Sequence, residues 1–244
     1  VSQGYIAISH PGVLGYYPNL KDESKEYQRK LRTVIRGMAA IAEKHDITLI
    51  EDDTYIFLPG LRPPPVAAFA PERTYFITSL SKCLAPGLRV GYVLAPNEAA
   101  AVRVGAAVRD TCRMATPMMA EVGTRLIHGG GANRMAICQR EEAHARQKIA
   151  GRILDGLDFR AKEECLHIWL SVPEPWRTND LVYQARARDV IVIPAEAFAV
   201  GRGQPPHAIR ICLGAARNRE RVESGLKILR KIIDQQPRSA FSVI

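Results

Sequence analysis

The sequence predicts an α/β fold followed by a smaller α+β portion, and three features carry that expectation. An amphipathic helical stretch runs straight into a short apolar strand that ends in three acids. Further short strands recur with loops or helices between them. A run of three glycines then separates this region from a second alternation of strands and helices.

Taken in order, Glu26 to His45 carries Leu31, Val34, Ile35, Met38, Ile41 and Ala42 at helical spacing, so it reads as a helix with one apolar face. Ile47 to Ile50 is a compact apolar run closed by Glu51-Asp52-Asp53. That is the pattern of a buried parallel strand whose C-terminal end delivers carboxylates to a crevice. Leu61-Arg62-Pro63-Pro64-Pro65 reads as a short rigid loop. Strands are expected at Thr74 to Thr78 and Val90 to Leu94, parted by a loop that holds a lysine and Pro86-Gly87. Asn97 to Ile127 is helical with a break at Pro117, and His128-Gly129-Gly130-Gly131 is the strongest breaker of the chain. The domain boundary is placed there, giving residues 1–130 and 131–244. Beyond it come a long amphipathic helix (Asn133 to Leu154), a strand (His167 to Leu170) and a helix (Asp180 to Arg188). Two strands (Val190 to Ile193 and Ala208 to Cys212) and a terminal helix (Arg219 to Ile233) complete the chain.

A chain of 244 residues, 47% hydrophobic and 24% charged, can bury a real core, which excludes wholesale disorder. No stretch approaches the roughly 20 apolar residues that span a bilayer, and no charged segment followed by an apolar run opens the chain. A cytoplasmic location without a membrane partner is therefore expected. The net charge of +9 is compatible with nucleic acid, anionic small molecules or solubility alone. Because the basic residues lie along helical stretches such as Arg29-Lys30-Arg32-Arg36 and Arg217-Arg219-Arg221, a solvated helix face is the expected reason. No zinc-finger, RNA-binding or helix-turn-helix signature is visible. The five cysteines lie at least 26 residues apart, and the histidines form no HExxH or HxxxH pair, so reduced thiols and no metal are expected.

Chemistry concentrates in Ser79-Leu80-Ser81-Lys82-Cys83-Leu84-Ala85-Pro86-Gly87-Leu88-Arg89-Val90-Gly91-Tyr92. A lysine held at a strand end among small and apolar residues can present an amine that forms a Schiff base with an aldehyde. Arg89, seven residues on, adds a planar cation, and Ser79 and Ser81 add hydroxyls nearby in the chain. Cys83 invites a nucleophile role, but a small buried residue is the simpler reading. In Glu51-Asp52-Asp53-Thr54-Tyr55, Asp52 and Tyr55 form a second constellation, for which a helix N-cap and a core tyrosine are the plain alternatives; Asp53 is the weaker of the two aspartates. Arg210 alternates with apolar neighbours in His207-Ala208-Ile209-Arg210-Ile211-Cys212-Leu213, which suits either a solvent-facing strand residue or a bidentate carboxylate grip.

The Ser79 to Tyr92 segment resembles the S-x-S-K-x-x-x-P-G-x-R-x-G signature of fold-type-I pyridoxal-phosphate (PLP) aminotransferases of class I/II. It is similar in particular to the subgroup that includes the MocR-type regulators of the GntR superfamily. The resemblance runs from about Ile41 to Ile233. It implies the C-terminal portion of the PLP-binding, aspartate-aminotransferase-like large domain at 1–130 and the small C-terminal domain at 131–244. Lys82 then holds the cofactor and acts as the catalytic base, and Asp52 contacts the pyridine nitrogen. Tyr55 meets the phenolic oxygen, and Ser79, Ser81 and Arg89 serve the phosphate. Arg210 grips the substrate carboxylate, and Pro194-Ala195-Glu196-Ala197-Phe198 lies near the substrate. The implied activity is amino transfer between an amino acid and a 2-oxo acid, in a homodimer. The alternative is an effector-sensing domain of a MocR-type regulator, which would meet nucleic acid only through a further N-terminal domain.

Family members also carry a further N-terminal part of the large domain, including a Gly/Ala-rich phosphate turn and an aromatic residue stacked on the pyridine ring. An N-terminally truncated chain is therefore expected. Where the family has an Asn-Pro element, this sequence reads His10-Pro11-Gly12-Val13-Leu14-Gly15-Tyr16-Tyr17-Pro18-Asn19-Leu20. Asn19 follows a proline instead of preceding one, so the asparagine role is not carried onto it.

Overall fold

A computed structural model describes residues 5–9, 25–55, 57, 64–200 and 203–235. The His10 to Leu20 departure, with Asn19, and residues 61–63 of the proline loop lie outside them. The chain divides into two compact units, Val1–Arg140 and Glu141–Ile244.

The first unit is built on a four-stranded sheet. Its strands are β1 (Tyr5–Ser9), β2 (Thr48–Asp52), β3 (Thr74–Ser79) and β4 (Gly91–Leu94), in spatial order β1-β2-β3-β4. The first three are parallel and β4 is antiparallel to β3, pairing Ser79 with Gly91. Helix α1 (Lys25–Lys44) lies between β1 and β2 in the chain. Its Leu31, Ile35, Ala39 and Ala42 recur at three- and four-residue spacing and are all buried. Ile35, Ala39 and Ala42 pack on Leu49 of β2 and on Val66 and Ala70 of the loop before β3. That packing explains why the helix–strand unit was visible in the sequence.

After β4, α2 (Glu98–Cys112) starts where the Asn97 side chain accepts the Ala100 N–H at 2.9 Å. Pro117 is the first residue of α3 (Pro117–His128), where its missing N–H costs nothing. Gly130, at φ +72°, supplies the left-handed turn before α4 (Gly131–Ile153).

The second unit holds an antiparallel sheet of β5 (Phe159–Ala161), β6 (His167–Ser171), β7 (Ile193–Pro194) and β8 (Ala208–Cys212), in order β5-β6-β8-β7. One face, carrying Ile168, Leu170, Ile209 and Ile211, joins α5 (Thr178–Arg186) and α6 (Arg219–Asp234) in a continuous core. Asn218 caps α6 through the Arg221 N–H at 3.1 Å. The strand expected over Val190 to Ile193 is hydrogen-bonded into the sheet only from Ile193, and Val192 is instead a buried anchor in irregular chain.

Candidate active site

In the first unit the candidate residues sit on the C-terminal ends of β2 and β3 and on the loop that joins β3 to β4. Strand alternation sorts the two acids of β2. Leu49 and Glu51 are buried, whereas Asp52 is exposed at the strand's end. Glu51, at 0% exposure, accepts the N–H groups of Val66 and Ala67, each at 3.0 Å, at the start of the 3-10 turn Val66–Ala68. This acid serves the fold rather than a crevice. Asp52 accepts the Thr54 N–H at 3.2 Å, an Asx-type contact that turns the chain toward Tyr55. Asp53 is buried, and its backbone stays tied to β3. Its N–H donates to the Ile77 carbonyl at 2.8 Å, and its carbonyl accepts the Thr78 hydroxyl at 3.1 Å.

The lysine loop is closed by its own small core. Leu80, Cys83 and Val90 are buried, with Phe57, Leu84, Leu88 and Met119 packed around them. Leu80 donates its N–H to Val90 at 3.2 Å and accepts that of Leu84 at 2.9 Å. Lys82 stands exposed, and the buried residues of this stretch are Leu80 and Cys83. Its Nζ lies 5.5 Å from the centroid of the Tyr55 ring, within cation–π range. Burial pushes the Cys83 thiol up from its ordinary value, which disfavours a thiolate and leaves the residue a packing role.

Ser79, the last residue of β3, accepts the N–H of half-buried Ser81 at 3.4 Å. Arg89 is exposed in the left-handed region (φ 51°, ψ 35°), a conformation that costs a residue with a Cβ roughly 1–2 kcal/mol. It makes no hydrogen bond or ion pair among the described residues. Two glycines fix the approach of neighbouring elements. A Cβ on Gly91 would meet the Thr78 carbonyl at 3.3 Å, and one on Gly123 of α3 would meet Leu80 Cδ1 at 2.7 Å. Lys82 and Tyr55 are thus brought together, as are Ser79 and Ser81, with Asp52 on the adjacent strand end.

In the second unit, half-buried Arg210 sits on β8 opposite Trp169 of β6 and Ile193 of β7. Its guanidinium carbon lies 4.6 Å from the Phe198 ring centroid. Phe198 in turn meets Trp169 edge-on, with centroids 6.0 Å apart and rings inclined at 60°. The Nε of Arg210 is buried without an acceptor. Sequence reasoning named Arg210 and the Phe198 segment but missed Trp169, because strand pairing, absent from any local pattern, is what puts it beside Arg210. Among the described residues no three His, Cys, Asp or Glu side chains are grouped to hold a metal, and no helix is long and apolar enough to cross a membrane.

A primary amine over a phenol ring, a carboxylate at a parallel strand end and paired hydroxyls form a donor set that fits an aldehyde-bearing pyridine phosphate. The three parallel strands with an antiparallel edge, followed by a second α+β unit, define an aspartate-aminotransferase-like fold of the PLP-transferase class. It is shared with an archaeal alanine:glyoxylate aminotransferase at TM-score 0.73 and 21% identity, over 93% of this chain and 56% of that one. A multiple substrate aminotransferase from Thermococcus profundus superposes at TM-score 0.72 and 21% identity, over 83% and 52% of the two chains.

The chain belongs to the family Aminotransferase class I and II, whose sequence profile matches residues 32–229. A Bacillus subtilis (strain 168) protein described as an uncharacterized HTH-type transcriptional regulator, YdeF, is 32% identical over 199 residues, 82% of this chain and 43% of its own length. The aromatic-amino-acid aminotransferase 1 of Thermococcus litoralis is 24% identical over 210 residues, 82% of this chain and 49% of that protein. The chain therefore spans about half, or less, of the length of these relatives.

Proposed function

We propose that this chain is the core of a PLP-dependent aminotransferase acting on an amino acid and 2-oxo acid pair, with Lys82 as the reactive amine. The observation that carries this is the Lys82 ammonium held over the Tyr55 ring beside the strand end that bears Asp52. When bound, PLP supplies an electron sink for the pair released as the substrate α-proton leaves. The chain's own groups do the rest. Lys82 Nζ takes and returns that proton, and the Asp52 carboxylate holds a proton on the pyridine nitrogen. The Tyr55 hydroxyl donates to the cofactor's phenolic oxygen, while Ser79, Ser81 and Arg89 hold the phosphate. Arg210 fixes the substrate carboxylate by two parallel hydrogen bonds, which sets the α-carbon in place. We assign residues 1–130 to the large domain and 131–244 to the small one, in a cytoplasmic homodimer.

The relationship to an HTH-type regulator favours a second reading, in which the same domain binds PLP to sense an effector and DNA is met through a separate domain. Both readings require the same amine. Purified protein given PLP is expected to develop visible absorption, and borohydride reduction followed by peptide mapping should place the adduct on Lys82. An adduct on another lysine overturns both. Steady turnover of an amino acid with a 2-oxo acid, abolished in Lys82→Ala, selects the enzyme; PLP binding without turnover selects the sensor.

A further inference from the structure

An arginine withdrawn from solvent, wholly or in part, is ordinarily fixed by acidic partners or carbonyls, which occupy its donors. Arg146 in the same unit follows that pattern. It donates to the carbonyls of Leu213 and Ala216 and to Glu142. Arg210 does not. Among the described residues it has no carboxylate partner, and its Nε is buried with no acceptor at all. What holds it is aromatic. The Arg210 guanidinium carbon lies over the Phe198 ring, 4.6 Å from its centroid, and Trp169, the strand neighbour of Arg210 across β6 and β8, meets the Phe198 ring edge-on.

This division has a chemical consequence. A ring beneath the guanidinium carbon restrains the fork through the cation–π contact while leaving its N–H donors unspent. Trp169 fixes the ring in turn through the inclined contact that aromatic quadrupoles favour. Phe198 sits at the end of the short 3-10 turn Ala195–Phe198, which begins directly after β7. The position of the ring therefore follows from the register of β7 on β8, where Ile193 lies opposite Arg210.

We infer that Phe198 is a positioning residue for carboxylate recognition: its ring, braced by Trp169, orients the Arg210 guanidinium and keeps its donors free for an incoming carboxylate. This rests on the reading of Arg210 as the carboxylate seat, and it adds the reason that the seat is pre-oriented. Losing the ring lets the fork sample other rotamers, so the carboxylate must order it on binding. Phe198 is 42% exposed, so its removal costs the fold little while loosening the fork.

The test is calorimetric titration of the full chain with pentanoate, an unreactive monocarboxylate, so that it does not depend on turnover. Phe198→Leu keeps apolar bulk but removes the ring face, and it should weaken pentanoate binding about fivefold, at the scale of a partly exposed cation–π contact. Phe198→Tyr keeps the ring and should bind as the parent does, whereas Arg210→Gln should abolish binding. Thermal unfolding of both Phe198 variants should match the parent. A residue that served packing alone would tolerate leucine. Hence parent-like affinity in Phe198→Leu, or equal loss in the leucine and tyrosine variants, overturns the inference while leaving Arg210 as the seat. Unchanged binding in Arg210→Gln overturns both. Mapping of the Lys82 adduct is independent of all three variants.

Discussion

Among single residues, Glu51 shows how one carboxylate can be mistaken for another. Its neighbour Asp52 has the same chemistry and lies one residue away, yet the pleat sends Glu51 inward to 0% exposure and Asp52 outward. Inward, a charge is tolerable only where donors meet it, and two backbone N–H groups do so at 3.0 Å each. Glu51→Gln keeps the shape but turns one acceptor into an N–H₂ group that faces a donor. Losing one charge-assisted bond and stranding an N–H should cost about 2–3 kcal/mol, read as a lower urea midpoint with an unchanged slope. The sequence offered no sign of this assignment. Three consecutive acids look alike until the partner loop at Val66 is known.

For elements, α4 and the stretch that follows β8 are joined by a clamp. Arg146, at 7% exposure, donates to the Leu213 carbonyl at 2.5 Å, the Ala216 carbonyl at 2.9 Å and Glu142 at 2.7 Å. Arg219 of α6 grips Glu142 from the other side at 2.7 Å. Arg146→Met would leave two carbonyls without their donor, for a loss of about 3 kcal/mol in chemical denaturation. The hydrogen bond from Arg219, followed by Arg146, holds the Glu142 carboxyl below its ordinary value of 4.5. A carboxyl lowered in the folded state stabilises fully above its unfolded value and loses that contribution as pH falls through the folded value. Glu142→Gln should therefore lie below the parent in stability at neutral pH and converge with it under acid, below the ordinary carboxylate range.

Elements of this kind were largely legible, because α1 and α6 present apolar stripes and Pro117 breaks the helical run that opens at Asn97. β5 was not. It has three residues, too few to establish a period, so only its pairing with β6 defines it. The candidate site divides the same way. Lys82 and Asp52 stand out in the sequence at strand ends and Arg210 by its alternation with apolar neighbours, whereas the ring contacts made by Tyr55 and Phe198 depend on distances that spacing does not encode.

At the scale of the whole molecule, the two units differ in how much core holds them. Among the described residues of the second unit, seventeen buried apolar side chains form one continuous cluster. Among the described residues of the first unit, the buried apolar clusters are smaller, one of six residues and one of three, the latter lying under the lysine loop. Hydrophobic stabilisation scales with apolar area removed from water, so the second unit should unfold at the higher temperature. Scanning calorimetry of the full chain should then show two transitions. The proposed cofactor site involves Lys82, Tyr55 and Asp52 of the first unit, so saturating PLP should raise the lower transition and leave the upper in place. At a hundredfold excess over the dissociation constant, the linkage amounts to about 2.7 kcal/mol, several degrees for a domain of this size. Lys82→Ala should remove most of that shift without moving the upper transition. A shift confined to the upper transition would place the cofactor in the other unit, and identical traces with and without PLP would mean that this chain does not retain it.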